Sequence, residues 1–421
     1  MASRPVFTRF PLLILPAVTA WIGCSHPPPD GPAVEAAAAP KPVANSVANS
    51  VARSVAQPEA APQPIATAEP PVKPAPEPAA PAKPPKAESL TMTFVGDIIF
   101  GRYRETGFDP IPEDGYAVFE AMQGALDSDV LIGNLETPLV YDLPETSPIG
   151  SKFAFGASKD HAKLLVDGGF DAVSLANNHW YDQRRTGVEE TPKILEELGI
   201  VPLGGATNDP EVFRVQPVEA KGWRIGVLAF TNRSNAPQRD DTPTLPFLSA
   251  REVAGTVAPV MEAARGEYDV LVGFVHWGEE YEDGPSGAQK NAAHALIDAG
   301  ADLVIAHHPH VLQGVEVYGE GLIAYSMGNF LFENTNDPAR LTGVLRVTMR
   351  ADGCRDEVRF HPAYVKRIPV QHPVPAAGYM GRKVRERMRL VSRRFGATWD
   401  DVEVDGAVDL RLDDPKSCAT P

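Results

Sequence analysis

Residues 90–100 read LTMTFVGDIIF, a run of apolar and β-branched residues interrupted by Gly96 and Asp97. Similar short runs follow it along the chain: SDVLIGNLE (128–136), FDAVSLANNH (170–179), RIGVLAFTN (224–232), YDVLVGFVHWG (268–278), ADLVIAHHPH (301–310) and GLIAYSMGNF (321–330). Helix-like segments lie between some of them, for example GVEETPKILEELG (187–199) and GAQKNAAHALIDAG (287–300). Apolar strands that alternate with amphipathic helices predict an α/β fold whose strands are buried on both faces.

Polar residues come at or just after the carboxyl ends of five of these predicted strands. They are Asp97, Glu136, Asn178, His179, His276, His308 and His310. Taken singly, Asp97 and Asn178 are compatible with turns, Glu136 with an arginine partner, and His276 with a hydrogen-bonded core histidine. Ligands of α/β sheets collect at the carboxyl edge of the strands, so the repeated pattern predicts one shared site.

The residue types in this set favour a divalent metal ion. Imidazole binds zinc, iron and manganese, while Asp and Glu carboxylates can bridge two ions. One or two such ions support hydrolysis of phosphoryl or carbonyl compounds. The sequence therefore predicts one or two ions of manganese, zinc or iron.

Three histidines stand close together in LVIAHHPHVLQG (303–314). Pro309 favours an extended conformation at His308, and residues two apart on an extended chain project to the same side. We therefore expect His308 and His310 to face the site, and His307 to point away and to be replaceable.

The amino terminus is typical of an export signal. Arg4 and Arg9 precede the apolar run FPLLILPAVTAWIGC (10–24), which is short for a membrane span. Gly23 before Cys24 resembles a bacterial lipoprotein signal, so residues 1–24 are predicted to be cleaved before Cys24, the lipid attachment point. Ser25 favours the outer membrane if the cell has two. An ordinary signal peptide and an uncleaved anchor are the alternatives.

Residues 25–88 contain 17 of the 42 prolines and no aromatic residue, so they are predicted to be a disordered tether. Residues 89–370 then form the folded domain, and residues 371–421 a carboxyl-terminal basic helix and tail.

The basic stretch GYMGRKVRERMRLVSRRFG (378–396) could lie on acidic lipid or polymer, or pack on the acidic domain. Cys354 and Cys418 either pair or remain free thiols.

The net charge of −16 and the pI near 5.1 argue against nucleic-acid binding.

Six segments, in order, resemble the CapA/PgsA family of capsule and poly-γ-glutamate biosynthesis proteins, within the calcineurin-like metallophosphoesterase superfamily. They are VGDIIFGR, GNLETPL, LANNHWYDQ, GFVHWGEEY, HHPHVLQG and YSMGNFLF, spanning roughly residues 90–335. The resemblance implies a four-layer α/β/β/α sandwich with its metal site at the carboxyl ends of the strands.

The resemblance also implies roles for single residues. Asp97, Glu136, Asn178, His276, His308 and His310 would be metal ligands, and His179 a general acid near the leaving group. Ile99 stands where the superfamily has a histidine. One metal site thus has a ligand fewer, which leaves both a mononuclear centre and a different second ion open.

Three function classes follow from these features. The first is an exported, membrane-tethered metal-dependent hydrolase that acts on a phosphoester or an anionic polymer, in synthesis, processing or export of a capsular or poly-γ-glutamate-like polymer. The second is a non-catalytic, metal-containing accessory with a polymer-synthesis complex as its partner, and the third is a polymer-binding surface lipoprotein. Arg102, Arg184 and Arg185 are candidates for substrate contact, or surface arginines paired with acids. Glu279 or Glu280 could orient an imidazole, and Asn329 could face the site.

Overall fold

The computed structural model describes residues 85–104, 107–111, 116–151, 153–209, 211–236, 242–333 and 336–418. The predicted signal, Cys24 and almost all of the predicted tether lie outside the described residues. Among the helices that are described, none has the length and apolar character needed to span a membrane.

The described residues form strands along the whole folded part of the chain. In chain order they are β1 (Ser89–Ile98), β2 (Gly101–Arg104), β3 (Gly107–Pro110), β4 (Val130–Leu135), β5 (Leu139–Val140), β6 (Ala157–Ser158), β7 (Ala172–Ser174), β8 (Val201–Leu203), β9 (Gln216–Ala220), β10 (Trp223–Thr231), β11 (Val270–His276), β12 (Leu303–His307), β13 (Val315–Tyr318), β14 (Gly321–Ala324), β15 (Asn329–Leu331), β16 (Leu341–Arg350), β17 (Arg355–Lys366), β18 (His372–Pro375), β19 (Trp399–Val404) and β20 (Ala407–Leu412).

The α-helices lie between these strands. They are α1 (Gln123–Leu126), α2 (Lys159–Gly168), α3 (Arg184–Glu197), α4 (Val253–Thr256), α5 (Ala258–Ala264), α6 (Gly287–Asp298), α7 (Asp337–Arg340) and α8 (Gly378–Ser392). Two 3₁₀ turns, Glu120–Met122 and Arg393–Phe395, precede α1 and follow α8.

Two large sheets carry the fold. The ten-stranded sheet has the order β19-β20-β17-β16-β1-β4-β7-β8, with β15 beside β1 and β18 beside β17. The six-stranded sheet has the order β13-β14-β12-β11-β10-β9. The apolar runs recognised in the sequence form the parallel strands β1, β4, β7 and β15 of the first sheet and β10, β11, β12 and β14 of the second.

The sheets face each other and helices cover their outer faces. Phe94 and Ile132 of the larger sheet share one core with Val227 and Phe274 of the smaller one. The other face of the larger sheet packs on α2 and α3, and the other face of the smaller sheet packs on α5 and α6. Strands buried on both faces read as continuous apolar runs, which is why they were recognisable in the sequence. The predicted α/β/β/α arrangement is confirmed.

The carboxyl-terminal segment is more than a basic helix and tail. Strands β18 and β20 pair with β17, and β19 pairs with β20, so residues 372–412 extend the larger sheet. Helix α8 buries Val384 and Met388 in the core between the sheets. Its arginines pair with acids, for example Arg387 with Asp283 at 2.6 Å. This agrees with the alternative in which the basic stretch packs on the acidic domain.

A disulfide bond joins Cys354 and Cys418, with their Cα atoms 5.3 Å apart. It ties the segment that follows β20 to the start of β17. Of the two possibilities left open by the sequence, the structure therefore has the paired one.

Candidate metal centre

The sheet geometry brings the predicted site residues to one edge. In the register of the parallel strands, Asp97 of β1 lies beside Asn134 of β4 on one side and Asn329 of β15 on the other. His276 ends β11 opposite His307, the last residue of β12. The two sheets face each other, so the loops that follow these strands lie close together at one edge.

Glu136 lies at the centre of this cluster. Its Oε1 atom is 3.7 Å from Nε2 of His276, 3.9 Å from Nε2 of His310 and 3.9 Å from Nε2 of His179. The carboxylate is completely buried, and neither of its oxygens has a hydrogen-bond partner among the described residues. A buried carboxylate without partners is energetically costly, and a divalent cation would give both oxygens a partner of opposite charge.

The other predicted ligands surround Glu136. Asn134 Nδ2 donates to Asp97 Oδ1 at 2.8 Å, and the second oxygen of Asp97 lies 3.1 Å from His310 Nδ1. His276 Nε2 is 2.8 Å from the amide oxygen of Asn178 and 3.1 Å from His308 Nδ1.

The ligand atoms are close enough for a shared ion. Glu136, His308 and His310 can each offer one atom within 4.8 Å of the others, and so can Asp97, Glu136 and His276. All six residues predicted as ligands thus lie together, and the donor set fits a divalent metal.

The charge states of the cluster are tightly linked. Burial, and then the negative charge of Asp97, raises the pKa of Glu136 to about 8. Burial works against protonation of His310, but Glu136 and Asp97 outweigh it and raise the pKa of His310 to about 9. Burial, together with the neighbouring histidines, lowers the pKa of His308 to about 3 and that of His276 well below its usual value. Neutral imidazole is the form that binds metals, so His276 and His308 suit a cation beside the carboxylates.

The backbone at the three clustered histidines differs from the prediction. His308 has φ +95° and His310 has φ +57°, so the extended conformation expected from Pro309 is wrong. Such conformations cost about 1–3 kcal/mol each in residues with a Cβ, and the sharp turn they make directs both rings into the cluster. His307 points away, as predicted, with Nε2 donating to the carbonyl of Val95 at 3.0 Å.

His179 is held by a carboxylate that sequence reasoning missed. Its Nδ1 atom lies 2.6 Å from Oδ2 of Asp182, which also accepts the backbone N–H of Phe155 at 2.7 Å. Burial favours the neutral ring, but Asp182 outweighs it, so the pKa of His179 is raised. The opposite nitrogen, Nε2, lies between Glu136 and the side-chain amide of Asn235, which is 3.4 Å away. The only sequence signal was an acid three residues after the histidine.

A cavity of about 840 Å³ opens next to the cluster. Its lining includes Asn178, His179 and His310, with Arg102 and Arg184 also contributing. Arg185 does not line it and instead pairs with Glu189 at 3.5 Å on the exposed side of α3. Substrate contact from Arg185 is therefore not supported by its position.

The sequence alone leaves the roles of three side chains near the cluster open. Glu280 lines the cavity, whereas Glu279 is exposed and pairs with Arg233. Asn329 faces the site, because its Oδ1 atom lies 2.8 Å from His310 Nδ1. Asn329 thus orients a predicted ligand, and Glu280 is placed to act on the cavity by its charge.

Residues 91–334 match the family described as Bacterial capsule synthesis protein PGA_cap. The chain belongs to this family. The Capsule biosynthesis protein CapA of Bacillus anthracis is 31% identical over 269 residues, 63% of this PGA_cap chain and 65% of that protein. The PGA biosynthesis protein CapA of Bacillus subtilis (strain 168) is 31% identical over 274 residues, 63% of this chain and 69% of that protein.

More distant similarities extend the comparison. A Probable polyglutamine synthesis accessory protein of Mycobacterium tuberculosis is 27% identical over 316 residues, 70% of this PGA_cap chain and 81% of that protein. Among solved structures, the 5'-nucleotidase from Candida albicans SC5314 aligns with TM-score 0.39 and 11% identity, covering 75% of this chain and 60% of that one.

One position in this PGA_cap chain departs from the metallophosphoesterase pattern noted in the sequence. Ile99 is buried and packs with Phe155 and Phe332 in a small apolar cluster. The Phe155 ring lies 3.9 Å from the His179 ring, and the Phe332 ring 5.2 Å from the His310 ring. Apolar side chains thus lie beside the candidate metal ligands, at the position where the superfamily pattern has a histidine.

Proposed function

We propose that this protein acts in the synthesis, processing or export of an anionic capsular polymer of the poly-γ-glutamate type, using a metal-dependent hydrolase-type site. Membership of the PGA_cap family and the names of its Bacillus relatives support the polymer. The observation that carries the site is Glu136, whose two buried oxygens lack partners while three imidazoles surround Oε1 at 3.7–3.9 Å.

The residues around Glu136 divide into ligands and a proton donor. Asp97, Glu136, Asn178, His276, His308 and His310 would hold one or two ions of manganese, zinc or iron. Such an ion, when bound, would polarise a phosphoryl or carbonyl oxygen of the substrate and activate water. His179 would donate a proton to the leaving group, because Asp182 raises its pKa and fixes its ring with Nε2 towards Glu136.

A metal-containing accessory without turnover and a polymer-binding lipoprotein compete with a hydrolase. Ile99 replaces one ligand of the superfamily pattern, which favours the accessory. The His179–Asp182 pair favours the hydrolase, because a metal that only holds a fold needs no proton donor beside it.

The protein would work outside the cytoplasm. We propose export through residues 1–24, lipid attachment at Cys24, and retention at a membrane, the outer one if there are two. A membrane complex for polymer synthesis is the partner that this placement would allow. Mass spectrometry of the mature amino terminus tests the lipid directly.

The site is tested by metal content and turnover of the purified full chain. We expect at least one divalent ion per chain and, on generic phosphoesters or γ-glutamyl peptides, turnover that is lost when the metal is removed. Glu136→Gln should lower both metal content and turnover. His179→Ala should keep the metal and lower turnover by about 10²–10⁴-fold, the usual contribution of a general acid.

His361→Ala is a matched control, since it also removes an imidazole paired with a buried aspartate, Asp409 at 2.7 Å, but does not line the cavity. Its turnover per folded molecule should equal that of the unsubstituted chain. Full activity of the metal-free chain, or of His179→Ala, would refute the hydrolase.

A further inference from the structure

Two arginines that line the cavity, Arg102 and Arg184, lie close in the fold to the residues that position His179. Arg102 forms an isolated β-bridge with Phe155, whose ring contacts His179. Arg184 begins α3 two residues after Asp182, the carboxylate that holds His179. Both arginines are therefore fixed to the backbone segments that position the His179 ring.

Arg184 is held in an unfavourable conformation that directs it to the cavity. Its φ is +56°, in the left-handed region that residues with a Cβ rarely occupy. Its Nε atom donates to the carbonyl of Pro148 at 3.1 Å, which anchors one edge of the guanidinium. Among the described residues Arg184 forms no ion pair, unlike the adjacent Arg185, which pairs with Glu189. Strain of this kind tends to be kept where a side chain has a function.

The ion pair that Arg102 forms within the described residues is a long one. Its Nε atom lies 3.6 Å from Glu333 and has no hydrogen-bond partner in the described part of the chain. The side chain is about one-quarter exposed, 28%. An anion in the cavity could therefore reach Arg102 without breaking a close hydrogen-bonded pair.

The charges that line the cavity favour these two side chains as partners of an anionic group. The protein carries a net charge of −16, and Asp182, Glu280 and Glu333 also line the cavity. Arg102 and Arg184 are the only arginines or lysines among the described residues that line it. A planar guanidinium can bind two oxygens of a carboxylate or phosphate group at once. Arg102 and Arg184 would therefore attract an anion in the cavity.

We propose that Arg102 and Arg184 form an anion subsite that binds a carboxylate or phosphoryl group of the substrate on the leaving-group side of the bond to be cleaved. The inference rests on the proposed function, in which His179 protonates the leaving group. It makes the substrate one that carries a second anionic group beyond the reacting one, as repeating polyanions do.

Binding to the full chain, measured by calorimetry, tests the subsite. The probes are a γ-linked glutamate oligomer, a neutral γ-linked glutamine oligomer of equal length, and a short linear polyphosphate. Arg102→Gln and Arg184→Gln should each weaken binding of the charged probe about ten-fold, the usual effect of losing a hydrogen bond to a charged group. The neutral oligomer should bind weakly to every variant.

Arg185→Gln is the matched control, because it removes the same charge from the adjacent, exposed residue outside the cavity. Its affinity should stay within two-fold of the unsubstituted chain. An equal loss in Arg185→Gln, no loss in Arg102→Gln and Arg184→Gln, or binding of neither charged probe would overturn the subsite. Preference for the glutamate oligomer or for polyphosphate identifies the anion as carboxylate or phosphoryl.

Glu136→Gln separates this inference from the proposed function. It should abolish turnover while the ten-fold effect of Arg184→Gln on binding persists in the double variant. If Glu136→Gln keeps full metal and turnover, the proposed metal site at Glu136 fails and the binding result is judged alone. If turnover is lost as expected but the arginine variants bind normally, only the subsite fails.

Discussion

At the scale of single residues, the three clustered histidines have different roles. His308 and His310 reach the carboxylates, whereas His307 donates to the Val95 carbonyl and its ring stacks on Phe274 at 4.5 Å. His307 joins the two sheets, because Val95 belongs to β1 of one sheet and His307 to β12 of the other. The ring is completely buried, so it is not a freely replaceable residue.

We therefore expect His307→Ala to lower the free energy of unfolding by about 2–4 kcal/mol, since it leaves a cavity and an unpaired buried carbonyl. Metal content per folded molecule should not change. His308→Ala, one residue further on, should show the opposite pattern, with less metal. Urea unfolding and elemental analysis of both variants provide the comparison, and loss of metal in His307→Ala would contradict it.

At the scale of elements, the site depends on a close crossing between β1 and the turn before β15. A Cβ added to Gly96 would lie 2.0 Å from the carbonyl oxygen of Gly328, nearer than atoms can approach. This contact also positions Asp97, whose backbone N–H donates to that same carbonyl at 2.9 Å. Glycine at position 96 is thus required by the approach of the two segments, and the next residue is a predicted ligand.

Gly96→Ala should destabilise the protein by about 3 kcal/mol or more, because overpacking here must move backbone rather than a flexible side chain. It should also lower metal content, since Asp97 would be displaced. Gly255→Ala in α4 serves as the comparison, because its added Cβ meets nothing within 4 Å. That variant should be unchanged or stabilised by up to about 1 kcal/mol, as for alanine in an exposed helix. Thermal unfolding of the pair decides, and similar melting temperatures would refute the crossing argument.

At the scale of the whole molecule, the sequence predicted those parts that local pattern controls. Doubly buried strands such as β11 and the residues at their carboxyl ends were recognisable, and these include all six proposed ligands. Strands β16 and β17 were not recognisable in the sequence. Strand β17 mixes charged residues with Pro362, and it lies in the sheet because it pairs with β16. Asp182 was missed for a similar reason: its role depends on where the His179 ring points, which spacing alone does not give.

The disulfide acts on the molecule as a whole by closing a long stretch of chain. Cys354 and Cys418 are 64 residues apart, and the loop between them contains β17–β20 and α8. Closing a loop of this length reduces the entropy of the unfolded chain by an amount worth about 4 kcal/mol at 25 °C. Replacing both cysteines with alanine should therefore lower the free energy of unfolding by up to that amount without changing metal content, because neither cysteine is among the proposed metal ligands. The unsubstituted chain unfolded in urea with a reducing agent should match the double variant, whereas the reducing agent should leave the double variant unaffected. Equal stability of the oxidised chain and the double variant would show that the bond contributes nothing to holding β19 and β20 on the sheet.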